Sequence, residues 1–452
     1  MISISLKEIA ECCNGKLVGD NISVASVTTD SRSASDNELF FALKGERFDA
    51  HDFLDGAVKN GARALVVDRE VETSVPYIIV PDTKKALGTL GSYVKQKLNP
   101  VTVGITGTCG KTTVKDLTYS ILSLAGETLA TKGNFNNDIG VPLTLLRLTE
   151  SHKYAIIEMG TNHHGEISYT TNLVHPDIAL INNVGYAHLE GFGSLAGVFK
   201  AKSEIFQALA EDGTAVFNRD SEFYNEFENE QKKYRLCSFS VDNDAATTYA
   251  SAIELDDLGR ARFVLHNPQG NIPVGLKIVG THNVSNACAA ATVAYALGLD
   301  LETIKNGLES YEPFQGRLQI SSKNNITLID DTYNASVNAV FAAIETLNSM
   351  NAYKVLILGD MGELGDQAEE LHKEVGKRVL NSKIDLFLAV GKLTELSVSA
   401  SGGKGLFFNT KEELKQWLKD NFDNAKISAV LIKGSHSMKM HEVLNYIKDE
   451  LC

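Results

Sequence analysis

A glycine-rich run between an apolar segment and a polar, helix-forming segment constrains this chain more than any other feature. Residues 101–105 are predicted to form a buried strand, and residues 112–124 a helix, with the run Gly107-Thr-Cys-Gly-Lys-Thr-Thr113 between them. A strand, a tight loop and a helix in this order point backbone N–H groups and a helix N-terminus at one small space. We therefore expect a parallel α/β sheet that carries an anion site at the carboxyl end of one strand.

The residue types in this run match the needs of a nucleoside triphosphate. Gly107 and Gly110 let amides turn inward without interference from a Cβ atom, Lys111 is expected to bridge the β- and γ-phosphates, and Thr112 to offer its hydroxyl to magnesium. Counted from Gly104, the spacing is GxxxxxGKTT. The alternative is a chance glycine turn before a helix with a solvated lysine. We predict that the ATP phosphates contact Gly107, Thr108, Cys109, Gly110, Lys111, Thr112 and Thr113.

Composition limits the class of protein. A chain of 452 residues predicts two to four domains, and no stretch approaches the roughly 18 apolar residues of a membrane span. The amino terminus lacks the pattern of a secretion signal, and the six cysteines show neither a disulfide framework nor zinc-ligand spacing, so we expect a cytoplasmic protein with reduced thiols. A net charge of −14 argues against a nucleic-acid partner.

Three segments follow from the alternation of strand-like and helix-like runs. Residues 1–82 read as a small α/β domain with strands at 64–67 and 77–80 and a helix at 51–60. Residues 83–313 read as a central parallel-sheet domain that carries the glycine loop, with further strands at 154–157 and 178–182. Residues 314–452 restart the alternation as a Rossmann-like α/β domain, with strands at 326–329, 354–358, 386–390 and 429–432 and helices at 337–347, 371–380 and 411–421.

Several polar side chains follow strands or begin helices, where ligands of open α/β sheets bind. Glu158 and His188 are candidate magnesium ligands, although a solvated glutamate and a structural histidine are the alternatives. Lys200 and Lys202 lie about 200° apart on a helix, so only one of them can point into the site, and spacing leaves both open.

Two further groups are candidates for nucleotide contacts. Asn283 and Asn286 share a helix face and suit an adenine edge, although a helix cap explains the same pattern. Arg317 is a candidate for bracing the γ-phosphate and Asp331 for reaching the ribose or phosphates after domain closure, with a surface arginine and an Asx turn as the alternatives.

Motifs in all three segments resemble the Mur ligase superfamily, the ATP-dependent amide ligases of peptidoglycan synthesis, to which folylpolyglutamate synthase is related. Besides the glycine loop, the motifs are Asp30-Ser-Arg32, Leu39-Phe-Phe-Ala-Leu-Lys-Gly-Glu-Arg-Phe-Asp-Ala-His-Asp-Phe53, Gly133-Asn-Phe-Asn-Asn-Asp-Ile-Gly-Val-Pro142, Glu158-Met-Gly-Thr-Asn-His-His-Gly-Glu-Ile167, Gly191-Phe-Gly-Ser-Leu-Ala-Gly197 and Gly359-Asp-Met-Gly-Glu-Leu-Gly365. The resemblance implies that the chain joins D-alanyl-D-alanine to UDP-N-acetylmuramoyl-tripeptide through an acyl phosphate, with ATP and two Mg²⁺ ions. We expect a monomer.

The resemblance also assigns roles to individual residues. It selects Lys202 for a carbamate made from CO2, which joins Thr112, Glu158 and His188 as a metal ligand, and it places the nucleotide against His282, Asn283 and Asn286. Lys111, Lys202, His188 and Arg317 are the implied catalytic residues. The implied contacts to the two substrates are Ser31, Arg32, Glu46, Arg47, Phe48, Asn134, Asn137, Asn162, His163, Tyr333 and Asn334, with the UDP-sugar on the first segment.

The chain departs from the family pattern at two places, and two other classes share parts of the pattern. Asn334-Ala-Ser-Val337 stands where the family often has Asn-Ala-Asn-Pro, and His436 stands where an arginine often follows Lys433-Gly-Ser. The competing interpretations are another Mur-type or folylpolyglutamate-type ligase and a P-loop NTPase motor or switch. The Asn-Lys-x-Asp motif of GTP switches is absent from the sequence.

Overall fold

The computed structural model describes residues 1–34, 37–45, 48–186, 189–241, 243–313, 316–362, 364–423 and 426–451. The chain divides into two compact units. The first comprises Met1–Thr106, Ala125–Leu180 and Ser203–Ala215, and the second comprises Gly107–Leu124, Ile181–Lys202 and Val216–Cys452.

The strands are β1 (Ile4–Ser5), β2 (Lys16–Val18), β3 (Ser23–Val24), β4 (Ser26–Thr28), β5 (Glu38–Phe41), β6 (Ala62–Val67), β7 (Tyr77–Ile79), β8 (Val101–Thr106), β9 (Thr128–Ala130), β10 (Tyr154–Glu158), β11 (Ile178–Ile181), β12 (Thr214–Asn218), β13 (Arg235–Ser240), β14 (Thr248–Leu255), β15 (Arg260–Asn267), β16 (Gly270–Val279), β17 (Gln319–Lys323), β18 (Ile326–Asp331), β19 (Lys354–Gly359), β20 (Leu386–Val390), β21 (Gly405–Phe408) and β22 (Ala429–Lys433).

The α-helices are α1 (Leu6–Cys12), α2 (Leu54–Lys59), α3 (Thr83–Leu98), α4 (Lys111–Leu122), α5 (Gly140–Leu145), α6 (Glu166–Val174), α7 (Leu189–Phe192), α8 (Leu195–Ser203), α9 (Tyr224–Glu230), α10 (His282–Ala296), α11 (Leu301–Ser310), α12 (Val337–Ser349), α13 (Ala368–Leu380), α14 (Thr394–Ala400), α15 (Lys411–Asn421) and α16 (His441–Tyr446). Short 3-10 turns lie at Ala50–Phe53, Glu204–Phe206, Gly365–Gln367 and His436–Met438, and a π-helical turn lies at Ile447–Leu451.

The first unit contains a small mixed sheet near the amino terminus. Its strand order is β2-β7-β6-β5-β4, with β4 to β7 parallel and β2 antiparallel to β7. Phe40, Leu65 and Val67 are buried in its core together with Leu54 of α2. Because β4, β5 and β6 end at the same edge, the loops that follow Thr28, Phe41 and Val67 also gather there.

The first unit also holds strands β8 to β11, in the order β11-β8-β10-β9. Strand β10 runs parallel to β8, and its last residue, Glu158, pairs with Ile105. Ile105 lies two residues before Gly107 in the sequence. Helix α3 begins at a cap in which the Asp82 carboxylate accepts from the Lys85 amide, and it packs closely on α5 where Gly91 meets Pro142.

In the second unit, strands β12 to β16 lie in sequential order, and β14, β15 and β16 are antiparallel. Short turns join these three strands, and the residues of β15 alternate between buried and more exposed positions, as expected for a sheet with one covered face. Helices α4, α10 and α11 pack against one another, so closely that a Cβ atom on Gly307 would stand 2.4 Å from the Ile121 Cα.

The second unit also carries a six-stranded sheet in the order β17-β18-β22-β19-β20-β21, in which only β17 is antiparallel to its neighbour among the described strands. Helices α12 and α13 cover one face, and α15 and α16 cover the other. The carboxyl ends of β18, β22 and β19 are neighbours, so Asp331, Lys433 and Gly359 meet at one edge.

The predicted α/β class is confirmed, and the predicted strands and helices occur with ends shifted by a few residues at most. The predicted parallel central sheet is confirmed for β8 to β10, whereas the antiparallel β14 to β16 are an addition that the prediction lacked. The domain boundaries near residues 82 and 314 stay predictions, and residue 314 lies outside the described residues. Across the described ranges, every helix is too short or too polar to cross a membrane.

Candidate active site

Two glycines of the loop after β8 adopt conformations that suit few other residues. Gly107 has φ of +157° and Gly110 has φ of +74°, and α4 begins directly after Gly110. A Cβ atom on Gly110 would lie 2.6 Å from the Asn286 Oδ1 and 2.7 Å from the Asn182 Nδ2. A Cβ atom on Gly107 would lie 3.0 Å from the Asn182 Cβ. The loop is therefore packed against two asparagines and needs glycine at both positions.

The residues that follow β11 hold the loop by hydrogen bonds. The Asn183 side chain accepts from the Cys109 amide at 2.9 Å and donates to the Cys109 carbonyl at 2.9 Å, so it pairs with both polar groups of that residue. The Asn183 carbonyl accepts from the Thr108 amide at 3.0 Å, and the Gly185 amide donates to the Thr108 hydroxyl at 2.9 Å. No role for Asn183 was predicted, although its place after a buried strand is a usable signal.

Two lysines of the second unit interact with the loop, Lys111 by a hydrogen bond and Lys202 electrostatically. Lys111 donates through its Nζ to the Gly107 carbonyl at 2.8 Å, and Thr112 is buried beside it at the start of α4. Lys202 is 2% exposed on α8, whereas Lys200 is exposed, so the structure turns Lys202 inward. Burial, and then the charge of Lys111, hold the pKa of Lys202 well below its usual range, which favours the neutral amine.

Cys109 lies in the same loop and is partly buried. Burial raises the pKa of its thiol, and the charge of Lys111 opposes that rise only in part. The thiol is therefore protonated at neutral pH, which agrees with its interpretation as a small side chain that the loop tolerates.

The start of α10 adjoins the loop. Asn286 is 5% exposed, accepts from the Asn182 Nδ2 at 2.9 Å and donates to the Asn283 Oδ1 at 2.8 Å. Asn283 in turn donates to the Val279 carbonyl at 2.7 Å. His282 packs its ring over Gly280, and burial followed by the charge of Lys433 lowers the pKa of this histidine to about 4. The imidazole of His282 is therefore neutral at pH 7.

A polar cluster lies at the carboxyl edge of the six-stranded sheet. Asp331 ends β18 and Lys433 ends β22 as partners in register, with 2.6 Å between the Lys433 Nζ and the Asp331 Oδ2. Lys433 also donates to the Asn334 carbonyl at 2.8 Å. Burial raises the pKa of Asp331, and the ammonium group of Lys433 opposes the rise. No role for Lys433 was predicted, although its motif was recognised.

Aromatic rings extend this cluster. The Arg317 guanidinium stacks over the Tyr333 ring at 4.0 Å from its centroid, and this contact orients the arginine. His436 packs against the same ring at 5.6 Å, and its backbone amide donates to the Asn334 Oδ1 at 3.3 Å. The fold therefore brings together four of the predicted candidates: Arg317, Asp331, Tyr333 and Asn334.

Glu158 belongs to the first unit and is 2% exposed at the end of β10. Its Oε1 accepts from the Asn136 Nδ2 at 2.8 Å, and its backbone amide donates to the Thr131 hydroxyl at 3.0 Å. A carboxylate oxygen is a ligand that Mg²⁺ prefers, so Glu158 fits this ion chemically. Within the described part of the chain, no group of three or more His, Cys, Asp or Glu side chains forms a metal cage.

The remaining predicted contacts lie on loops of the first unit. Arg32 is 88% exposed in its side chain and forms a two-pronged ion pair with Asp30, while the Ser31 carbonyl accepts from the Asn60 side chain. Phe48 stacks on Phe53 at 5.1 Å, with both rings largely exposed. Glu46, Arg47 and His188 lie outside the described residues.

Four predicted contacts lie on the loops that precede α5 and α6. Asn134, Asn137, Asn162 and His163 are all exposed. The Asn137 side chain accepts from the Gly140 amide at 2.8 Å and so caps α5, and the Asn162 amide donates to Glu166 at 2.7 Å. The side chains of Asn134 and His163 face solvent, where a substrate has access.

A glycine loop between a parallel strand and a helix, with lysine and threonine in the first helical turn, defines a P-loop nucleotide-binding α/β protein. Family models match most of the length: "Mur ligase family, catalytic domain" at residues 23–102, "Mur ligase middle domain" at 105–294 and "Mur ligase, glutamate ligase domain" at 316–436. The chain belongs to the Mur ligase family.

Individual relatives are similar over their full length. UDP-N-acetylmuramoyl-tripeptide--D-alanyl-D-alanine ligase of Escherichia coli (strain K12) is 43% identical over 450 residues, which is 99% of each chain. A crystal structure of MurF from Acinetobacter baumannii superposes with a TM-score of 0.95 at 36% identity and covers 99% of each chain. MurF ligase from Thermotoga maritima, solved in complex with ADP, superposes with a TM-score of 0.84 at 26% identity and covers 95% of this chain and 98% of its own.

Proposed function

We propose that this chain is an ATP-dependent ligase that joins D-alanyl-D-alanine to UDP-N-acetylmuramoyl-tripeptide and forms ADP. The observation that carries the proposal is a P-loop with Lys111 and the buried Lys202 beside it, in a chain that matches ligases of that name from end to end. A P-loop NTPase motor would share the glycine loop with this chain. It would not share the segments on either side of the loop that match the ligase relatives, so the ligase is favoured.

The loop is the place for the ATP phosphates. The T. maritima relative was solved with ADP, and the amides of residues 107–113 together with the N-terminus of α4 suit a polyphosphate. In this proposal Lys111 leaves its contact with the Gly107 carbonyl and reaches the β- and γ-phosphates. Arg317 and Asp331 approach the nucleotide from the carboxyl edge of the six-stranded sheet.

The reaction proceeds in two displacements. An oxygen of the tripeptide's terminal carboxylate attacks the γ-phosphorus, the bond from phosphorus to the β,γ-bridging oxygen breaks, and ADP leaves an acyl phosphate. The neutral amine of D-alanyl-D-alanine then attacks the acyl carbon, loses a proton, and expels phosphate as the amide forms. Lys111 and Arg317 stabilise the negative charge on the transferring phosphoryl group.

Magnesium, when bound, neutralises the phosphate oxygens and aligns them for attack. Thr112 and Glu158 would hold the ion through oxygen atoms in this proposal, and His188, which lies outside the described residues, through a ring nitrogen. Lys202 is buried and favours the neutral amine, which is the form that adds CO2. A carbamate on Lys202 would supply oxygens to a second ion.

The remaining assignments are also proposals. Residues 1–82 bind the UDP-sugar, 83–313 bind ATP and 314–452 close on the reacting groups. Ser31, Arg32 and Phe48 contact the UDP-sugar in the first unit, where three parallel strands end. The protein is a monomer of the cytoplasm, which agrees with nucleotide substrates and with free cysteines at 12, 13, 109, 237 and 288.

An omission assay tests the proposal. Purified protein is given MgATP with both substrates, with either one alone, or with neither, and phosphate release and product mass are followed. We expect phosphate release only with both substrates, one phosphate for each amide formed. Comparable phosphate release without D-alanyl-D-alanine would instead indicate a nucleoside triphosphatase.

A further inference from the structure

We propose that His51 is a positioning residue of the first unit, which fixes the loop after β5 in the shape that binds the UDP-sugar substrate. This loop, called the β5 loop below, spans residues 42–49 and is described at 42–45 and 48–49. The inference rests on the proposed binding of the UDP-sugar to residues 1–82. It gives a task to a residue for which no role was predicted.

The His51 ring is buried, and both of its nitrogens have partners. Only 2% of the side chain is exposed. The Asp68 amide donates to Nε2 at 3.1 Å, and the Asp68 Oδ1 lies at the same distance from this nitrogen. Because a backbone amide only donates, Nε2 accepts in this bond and the ring proton lies on Nδ1, which donates to the Asp49 Oδ1 at 2.6 Å. The ring therefore joins the end of the β5 loop to the first residue after β6.

Asp49 transmits this bond to the β5 loop. Its Oδ1 also accepts from the His51 backbone amide at 3.0 Å, so the carboxylate is held in one orientation. Arg69 donates to the Asp49 Oδ2 at 3.0 Å and to the Asp68 Oδ1 at 2.8 Å. The Arg69 side chain is about half exposed, and an ion pair open to water contributes little. The buried imidazole is therefore the stronger connection between the two segments.

The β5 loop has a closed base and an exposed tip. The Ala50 amide donates to the Leu43 carbonyl at 3.0 Å, and the Gly45 amide donates to the Phe48 carbonyl at 2.8 Å. The Phe48 ring stacks on Phe53 at 5.1 Å between centroids, and both residues are exposed. A substrate therefore has access to the tip, and the position of the tip depends on how firmly the base is held.

The imidazole holds that base at an edge where the substrate is proposed to bind. Strands β5 and β6 are parallel neighbours, so the β5 loop and Asp68 leave the sheet at the same edge. Removal of the ring takes away two hydrogen bonds and leaves a cavity under the loop. The loop then adopts several conformations in the free protein, and part of the binding energy of the UDP-sugar is used to order it. Affinity for this one substrate should fall, whereas the chemical steps at the phosphate loop are unaffected.

Steady-state kinetics of His51→Ala test the inference, with UDP-N-acetylmuramoyl-tripeptide, ATP and D-alanyl-D-alanine varied in turn. We expect the KM for the UDP-tripeptide to rise about tenfold, while kcat and the other two KM values stay within about twofold of the wild type. Asp49→Ala removes the partner of Nδ1 and should raise the same KM to a similar extent. Because the two residues act through one bond, the double variant should show no further rise.

Two comparison variants separate positioning from general destabilisation. His51→Asn places a side-chain amide near the position of Nδ1, where it can donate to Asp49, and should recover part of the affinity for the UDP-tripeptide. Asp82→Ala removes the cap of α3 in the same unit, so it should lower stability without changing any of the three KM values.

The outcomes are distinct. Failure of the wild-type protein to join the two substrates would contradict the proposed function itself. In an active wild-type protein, the inference is overturned if His51→Ala keeps the wild-type KM for the UDP-tripeptide, or if all three KM values rise together. If His51→Ala fails to fold, Asp49→Ala and His51→Asn carry the test, and a wild-type KM for the UDP-tripeptide in both overturns the inference.

Discussion

Replacement of Lys433 by methionine is the substitution whose energy can be worked out most directly. The Lys433 and Asp331 side chains are 4% and 14% exposed, and their 2.6 Å contact joins the ends of β22 and β18. Methionine has a similar length and no charge, so it leaves the Asp331 carboxylate buried without its cation. Removal of one partner of a buried ion pair costs about 3 kcal/mol of unfolding free energy.

The cost must depend on pH with a defined sign. The folded-state pKa of Asp331 already lies above its ordinary value because burial outweighs the charge of Lys433. A raised pKa means that the folded state binds the proton more tightly, so stability falls as pH rises from the ordinary aspartate pKa through the folded-state pKa. Loss of Lys433 raises the folded-state pKa of Asp331 further. At pH values above that pKa, each added pKa unit lowers the unfolding free energy by about 1.4 kcal/mol. Lys433→Met is therefore expected to be less destabilising at pH 5 than at pH 8.

Urea unfolding at the two pH values measures this difference. Trp417 is the only tryptophan of the chain and packs against Phe408 in the six-stranded sheet, so its fluorescence reports on the same sheet. The matched control is the double variant Lys433→Met with Asp331→Asn, which removes both charges and is expected to recover most of the stability. Equal destabilisation at pH 5 and pH 8 would refute the argument.

Three further predictions concern activity. Gly110→Ala introduces a Cβ atom at φ +74° and 2.6 Å from a side-chain oxygen, so ADP affinity should fall at least about tenfold. The control Gly298→Ala, at φ +80° in open space, should keep the wild-type ADP affinity. Equal affinities of the two variants in isothermal titration would contradict this prediction. Lys202→Ala should lose most ligase activity and regain part of it in acetate or bicarbonate, and an unchanged rate would remove the carbamate from Lys202. Asn136→Ala removes the hydrogen-bond donor to Glu158 and should raise the Mg²⁺ concentration for half-maximal rate about tenfold. Mn²⁺ binding measured by EPR checks this effect, and an unshifted Mg²⁺ titration would contradict it.

The parts of the fold that sequence patterns predicted are those with local causes. Strand β8, the glycine loop and α4 were predictable because a short apolar run, two glycines and a helical segment follow one another directly. The six-stranded sheet was predictable in outline for the same reason. The prediction did not recognise β14 to β16 as antiparallel strands. The direction of pairing depends on how strands are connected and on which sheet faces are covered by helices, and the residues of one strand do not reveal either.

The candidate site divides in the same way. Roles for Lys111 and Thr112 could be predicted because those roles depend on the adjacent glycines. The choice between Lys200 and Lys202 needed a resemblance, and the structure turns Lys202 inward. Lys433 had no predicted role because its partner Asp331 is 102 residues away in sequence and becomes its neighbour only through the order of strands in the sheet.

Transfer of oxygen tests the central claim, the formation of an acyl phosphate, most directly. UDP-N-acetylmuramoyl-tripeptide labelled with ¹⁸O in its terminal carboxylate is incubated with the protein, MgATP and D-alanyl-D-alanine, and the released phosphate is analysed by mass spectrometry. Because the attacking carboxylate oxygen leaves with phosphorus, one ¹⁸O atom is expected in each phosphate, and the other remains in the new amide. Amide product accompanied by unlabelled phosphate would contradict the account.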